Sequence, residues 1–111
     1  MIWRGEIYQV DLGRPVGHEP AFLRPAIVVS GDILNNGPGE LVVVVPVTST
    51  DHGLRSHVEI ATGVSGLERS SYARCDQIRV VSTTRIRLRR GDVAPDELRA
   101  IDRALRFILD L

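Results

Sequence analysis

Leu41-Val42-Val43-Val44-Val45-Pro46-Val47-Thr48-Ser49 is an apolar, largely β-branched run that stops abruptly at two hydroxyl side chains. β-Branched residues suit a pleated strand, and hydroxyls are costly to bury unpaired, so the run predicts a strand that emerges at a surface. Pro46 cannot donate to a ladder and predicts an edge or a bulge just before Thr48. Two other stretches share this build: Arg24-Pro25-Ala26-Ile27-Val28-Val29-Ser30 and Arg74-Cys75-Asp76-Gln77-Ile78-Arg79. The polar groups where these strands emerge form the candidate active site.

Outward from this run, short strand signals alternate with turns. Trp3 to Leu12 alternates imperfectly and is closed by Gly13-Arg14-Pro15, so it reads as a first strand. Gly13 to Leu23 is a long loop, of the kind that in a small domain usually serves function or is disordered. Gly31 to Glu40 carries turn chemistry in Asn35-Asn36-Gly37-Pro38-Gly39, and His57 to Ala61 reads as a short strand. Tyr72 to Val81 alternates as one strand, which would project Arg74 and Asp76 from the same face. Arg85-Ile86-Arg87-Leu88-Arg89 alternates strictly, one face arginine and the other apolar.

The last element is the one convincing helix. Pro95 suits its first turn, Asp96 and Glu97 complement its dipole, and Leu98, Ile101, Leu105 and Ile108 recur at helical spacing. Ala94 is a poor N-cap and predicts fraying. Ala100, Ala104, Phe107 and Leu111 widen the apolar stripe, which implies packing on the sheet and room for a subunit contact. Strands followed by one helix indicate a mainly β fold: a small, strongly bent antiparallel sheet or partly open barrel with a C-terminal helix.

The 111 residues hold one domain, 1–111, with no repeat or linker. No run is apolar enough to span a bilayer, and Met1 to Glu6 lacks the build of a signal peptide, so the expectation is a soluble cytoplasmic protein. A lone cysteine, Cys75, has no bridge partner and no metal-ligand spacing, and it reads as packed core. All 14 basic residues are arginine, and formal net charge is zero, which excludes holding nucleic acid by bulk charge alone. Charge is uneven, however. From Arg69 to Arg90 there are seven arginines against one acid, Asp76, which suits a local polyanion site or an arginine-rich strand paired with acids from elsewhere.

Six stretches in order resemble the MazF/PemK (Kid-like) family of toxins: Arg4 to Leu12, Gly17-His18-Glu19, Arg24-Pro25, Val45 to Ser49, Cys75 to Arg79, and the Pro95-Asp96-Glu97-Leu98 helix start. The resemblance implies an SH3-like β-barrel of the MazF/CcdB toxin type and a homodimer. It also implies a metal-independent, cofactor-free mRNA interferase that cuts single-stranded RNA to a 2′,3′-cyclic phosphate and a 5′-hydroxyl, and a cognate MazE-like antitoxin. Arg24 and Thr48 match the residues treated as catalytic in MazF-like members. His18, Arg74 and Asp76 match the trio of Kid-like members. Glu19, Ser49, Gln77 and Arg79 lie in the same matching stretches and are expected to bind substrate. The chain departs from the family pattern at Pro20 and at Ala21-Phe22-Leu23, where proline gained and glycine lost should stiffen the loop.

RNA cleavage through its own 2′-hydroxyl needs a base, an acid for the departing 5′-oxygen, and donors for the phosphorane oxygens. Arg24 and Arg74 suit the phosphorane clamp, Thr48 a hydrogen bond to a nonbridging oxygen, and Asp76 or His18 the proton. Read without the family, these residues have blander roles: Arg24 a surface ion pair, Thr48 and Ser49 a strand-end turn, Arg74 and Asp76 a same-face ion pair. His52 and His57 read as solvated. Phe22 and Tyr72 suit either base stacking or core packing. Rival functions on the same fold are a gyrase-poison-like toxin and an inactive RNA- or antitoxin-binding module. The chain ends Ile108-Leu109-Asp110-Leu111, unlike the Trp-Gly-Ile terminus of the gyrase poisons.

Overall fold

The computed structural model describes residues 1–14, 16–18 and 22–111; the expectations for Glu19, Pro20 and Ala21 fall outside them. Seven strands are described: β1 (Glu6–Asp11), β2 (Leu23–Val28), β3 (Leu41–Thr48), β4 (His57–Ile60), β5 (Ser71–Arg74), β6 (Arg79–Ser82) and β7 (Ile86–Asp92). A one-turn helix, α1 (Asp32–Asn35), lies inside the segment read as turn, and α2 (Pro95–Leu109) ends the chain. All pairings are antiparallel, in the order β4-β5-β3-β2-β1-β7, with β6 also on β3. No helix among the described residues is long and apolar enough to cross a membrane.

β3 is the hub. Along one edge it pairs with β2, Ala26 opposite Pro46 and Val28 opposite Val44. Along the other edge it changes partner partway: Leu41 to Val44 pair with β6, and Val47 and Thr48 pair with β5. Pro46 sits in the gap between these two ladders. The expected edge position is therefore corrected, for Pro46 is fully buried in a central strand, and its missing N–H is tolerated where the second ladder is interrupted.

The β-branched runs are buried on both faces, which explains why β2 and β3 read as nearly continuous apolar stretches. Ile7, Ile27, Val45, Val47, Ala73 and Cys75 face a core closed by Ile101 and Ala104 of α2. Tyr8, Val10, Ala26, Val28, Val42, Val44 and Val81 form a second core on the opposite face. The α2 stripe is narrower than its apolar composition suggests. Phe107 is 67% exposed, with the Arg55 guanidinium over its ring, and Leu111 is 84% exposed. The helix start does not depend on Ala94: one Glu97 oxygen accepts from the Ala94 N–H and the other from the Ala61 N–H, both at 2.8 Å.

The segment before β5 is clamped to β7 by backbone contact. Asp92 N–H donates to Val64 O, and Arg90 Nη2 donates to Gly66 O. A Cβ on Gly66 would lie 2.0 Å from the Arg90 carbonyl oxygen, and one on Gly91 would lie 2.2 Å from that of Val64. Only glycine permits this approach, and at Gly66 the backbone also needs a positive φ. The clamp fixes Leu67 and Glu68 beside the ends of β2 and β3.

The arginine face of β7 is met by acids. Arg89 donates to Glu6 and Asp92 at 2.7 Å each, and Arg85 and Arg87 approach Asp11. The apolar face is only partly covered, since Leu88 is exposed. At Glu6, burial works to raise the carboxyl pKa, but hydrogen bonds from Arg89, the Trp3 N–H and the Tyr8 hydroxyl outweigh it and hold the group below its usual value.

A group with a depressed folded-state pKa contributes stability above its unfolded value and loses it as pH falls through the folded one. Glu6→Gln should thus lower unfolding free energy at pH 7 by about 1–3 kcal/mol. That gap should narrow below about pH 4 in urea unfolding series; a gap constant from pH 7 to pH 3 contradicts the assignment. Cys75 is fully buried, and burial, with the Asp76 carboxylate, pushes its thiol up to about 12. A disulfide reagent at pH 8 should label it only on unfolding; rapid labelling of the native protein contradicts this.

Candidate active site

Arg24 lies on β2 opposite Val10, and Thr48 ends β3, buried to 8% exposure. The Ala26–Pro46 register puts Arg24 and Thr48 on one face of neighbouring strands, because each is two residues from that pair. Thr48 is in turn opposite Tyr72 of β5, so Arg74, two residues on, is its diagonal neighbour on the same face, with backbones roughly 7–8 Å apart. Arg24, Thr48 and Arg74 thus fall on three adjacent strands. A cleft of about 290 Å³ opens at the ends of β2 and β3, lined by Arg24, Thr48 and Ser49 together with Gln9, Glu68, Ser71 and Arg90.

Thr48 is held by the turn that follows: its Oγ1 accepts from the Thr50 N–H at 3.2 Å. Its hydroxyl proton remains available to a ligand. Gln9 also lines the cleft, and its buried Oε1 has no hydrogen-bond partner among the described residues, so it is an acceptor the sequence reading missed. The signal was there only in part, as a polar residue at an inward position of β1.

The expected single strand from Tyr72 to Val81 is broken. β5 stops at Arg74, Cys75 to Gln77 form a 3₁₀ turn, and β6 starts at Arg79. The cause is the switch of partner on β3: Val47–Thr48 and Leu41–Val44 recruit β5 and β6 separately, and the turn bridges them. Arg74 and Asp76 therefore do not form the expected same-face ion pair. Asp76 Oδ1 instead lies 2.9 Å from His57 Nε2, and among the described residues Arg74 has no ion-pair partner and a buried, unsatisfied Nε. An arginine so placed can receive an anion at little cost in existing bonds.

His57 corrects a second expectation. It opens β4 opposite Arg74, and its side chain is 2% exposed rather than solvated. His52 lies edge-on to it, ring centroids 5.6 Å apart. Nothing in the spacing of His57 marked it; only the β4–β5 pairing brings it to Asp76.

The remaining candidates are scattered. Ser49 is at the cleft, whereas His18 lies in an exposed turn and is not part of its lining. Gln77 is half-buried in the 3₁₀ turn, and Arg79 donates to Leu12 O at 3.3 Å, opposite Val44 and away from Thr48. Partial burial, with the Asp51 and Glu59 carboxylates, raises the Tyr72 phenol pKa. Phe22 is exposed with φ +58°, available for stacking rather than core packing. Among the described residues no group of three or more His, Cys, Asp or Glu side chains could hold a metal ion.

Comparison with known proteins joins this geometry to a family. The model of the PemK-like, MazF-like toxins of type II toxin-antitoxin systems matches residues 3–109. The chain is 39% identical to Endoribonuclease MazF9 of Mycobacterium tuberculosis over all of its own length and 98% of that protein's. Its fold superposes on MazF from Deinococcus radiodurans with a TM-score of 0.85 at 23% identity, covering 99% of this chain and 97% of that one. A mycobacterial endoribonuclease solved in complex with its cognate antitoxin gives a TM-score of 0.82 at 25% identity, covering 100% and 97%. Mainly antiparallel sheet, C-terminal helix and a match over nearly the full length agree: the chain belongs to the PemK-like, MazF-like toxins of type II toxin-antitoxin systems.

Proposed function

We propose that this chain is a cytoplasmic endoribonuclease toxin, acting as one domain, which cleaves single-stranded RNA at specific sequences by transesterification without a metal. The 2′-oxygen attacks the adjacent phosphorus, the bond from phosphorus to the 5′-oxygen breaks, and the products carry a 2′,3′-cyclic phosphate and a 5′-hydroxyl. One observation carries this reading: Arg24, Thr48 and Arg74 lie on one face of three adjacent strands, and Arg24 and Thr48 line an open cleft to which Arg74 does not contribute. Its relatives' names as endoribonucleases support it.

In this reading Arg24 and Arg74 meet the nonbridging oxygens as charge builds on the phosphorane, and the Thr48 hydroxyl donates a further hydrogen bond. A planar guanidinium suits the stabilising of charge rather than the moving of protons. Asp76, held by His57, takes the 2′-hydroxyl proton, a role for which exposed His18 is the rival, and the departing 5′-oxygen takes a proton from solvent water. Ser49 would contact the substrate at this centre, and Gln77, Arg79 and Glu19 would contact it farther along the RNA strand. The toxin would work as a homodimer and be silenced by a MazE-like antitoxin, as the antitoxin complex of its structural relative suggests.

The test is cleavage of a mapped RNA in chelator, with ends identified chemically. Cyclic-phosphate and 5′-hydroxyl ends are expected; retained but uncut RNA would favour a binding module, and intact RNA with inhibited gyrase a poison. Arg24→Ala, Thr48→Ala and Arg74→Ala should each slow single-turnover cleavage about 10²–10³-fold. His18→Ala should leave rate and pH profile near wild type while Asp76→Asn loses activity. The opposite pattern assigns the proton to His18.

A further inference from the structure

We infer that His57 is a positioning residue for Asp76, a role that rests on the proton-transfer reading above. Three observations converge on it. His57 Nε2 is 2.9 Å from Asp76 Oδ1; the imidazole is 2% exposed whereas the carboxylate is 32% exposed; and His57 Nδ1 is buried with no hydrogen-bond partner among the described residues.

The chemistry of the ring settles which atom carries the proton. Assigning it to Nε2 gives a donor aimed at the carboxylate and leaves Nδ1 a bare lone pair. A proton on Nδ1 would instead be a buried donor with no acceptor, an arrangement that native proteins almost never keep. His57 therefore donates to Oδ1 and leaves Oδ2 of Asp76 open toward solvent, where an RNA hydroxyl can reach it. Other groups facing the ring are His52, edge-on, and Arg74, opposite on β5.

The pair inverts the more familiar order in which a buried carboxylate orients a histidine. Here the buried imidazole orients the outer carboxylate, the member able to touch substrate. Such help is needed because Asp76 sits in a 3₁₀ turn, outside the ladders that fix β5 and β6, where its side chain would otherwise sample several rotamers. Fixing one rotamer preserves the approach geometry on which general-base catalysis depends, and misplacement by about 1 Å can slow a reaction 10²-fold.

The experiment combines two variants with an activity-free readout. His57→Leu should slow single-turnover cleavage about 10²-fold while leaving affinity for a 2′-deoxy-blocked oligonucleotide unchanged. His57→Gln, whose amide N–H reaches the Nε2 position, should restore most of the rate. In an Asp76→Asn background His57→Leu should cost nothing further. Nitrogen–proton correlations of the His57 ring should show the Nε2–H tautomer in the wild type and a redistributed proton in Asp76→Asn. The inference is overturned by a wild-type rate in His57→Leu, by a Gln variant as slow as the Leu variant, by additive losses, or by a wild-type ring without Nε2–H. The rate of His57→Gln against wild type and the tautomer of the wild-type ring decide the matter should His57→Leu fail to fold. A slow Asp76→Asn beside a fast His57→Leu removes only this inference, whereas wild-type protein that leaves RNA intact removes the nuclease reading itself.

Discussion

β3 is the constraint on which everything else rests, because a single eight-residue strand supplies three ladders and two cores. Val45 and Val47 close the core under α2, while Val42 and Val44 close the opposite one. Each buried valine contributes on the order of 1.5–3 kcal/mol relative to exposure, so the strand concentrates much of the stabilisation in one segment. Its end is correspondingly rigid. Thr48 projects from the end of this strand, a placement that suits its proposed contact with a phosphate.

The same strand sets the electrostatics by dividing its second edge between β5 and β6. Had Tyr72 to Val81 run as one strand, Arg74 and Asp76 would have neutralised each other on one face. The 3₁₀ turn rotates Asp76 toward His57 and leaves Arg74 without a carboxylate among the described residues. On β7 the opposite happens. Arg85, Arg87 and Arg89 meet Asp11, Glu6 and Asp92, so much of the local arginine surplus is spent within the fold. The Arg85 and Arg87 approaches to Asp11 are about half exposed and individually weak, whereas Arg89 meets a largely buried Glu6; together they withdraw these arginines from competition for a polyanion.

Much of this was legible in the residues. Strand signals placed β3 and β4 within a residue, the apolar run before Ser30 placed β2 within three, and the helical spacing from Pro95 placed α2, because hydrophobic periodicity reports burial directly. Arg24, Thr48 and Ser49 at one cleft followed from polar groups at strand ends. What the sequence could not show is which strand edges meet. Pro46 looked like an edge residue because a missing donor is normally tolerated only there; an interrupted ladder in a central strand leaves the same trace. α1 was missed because one turn of helix carries no periodicity, and Asn35 is buried by bonds to Ser30, not by an apolar stripe.

His57 shows the limit most clearly. In His57-Val58-Glu59-Ile60 it occupies an alternating position indistinguishable from a solvated one, and its partner lies 19 residues away across a ladder. Alternation predicts the face of a strand but not what covers that face, and here the cover is the turn that interrupts β5 and β6. The residue and the break are thus one feature: the fork in β3 creates the turn, the turn swings Asp76 over the start of β4, and the imidazole beneath holds it there. A chain that kept β5 and β6 continuous would lose the Asp76–His57 contact and bring Arg74 and Asp76 to one face, so an Arg74 without a carboxylate among the described residues and the oriented Asp76 have a common structural cause.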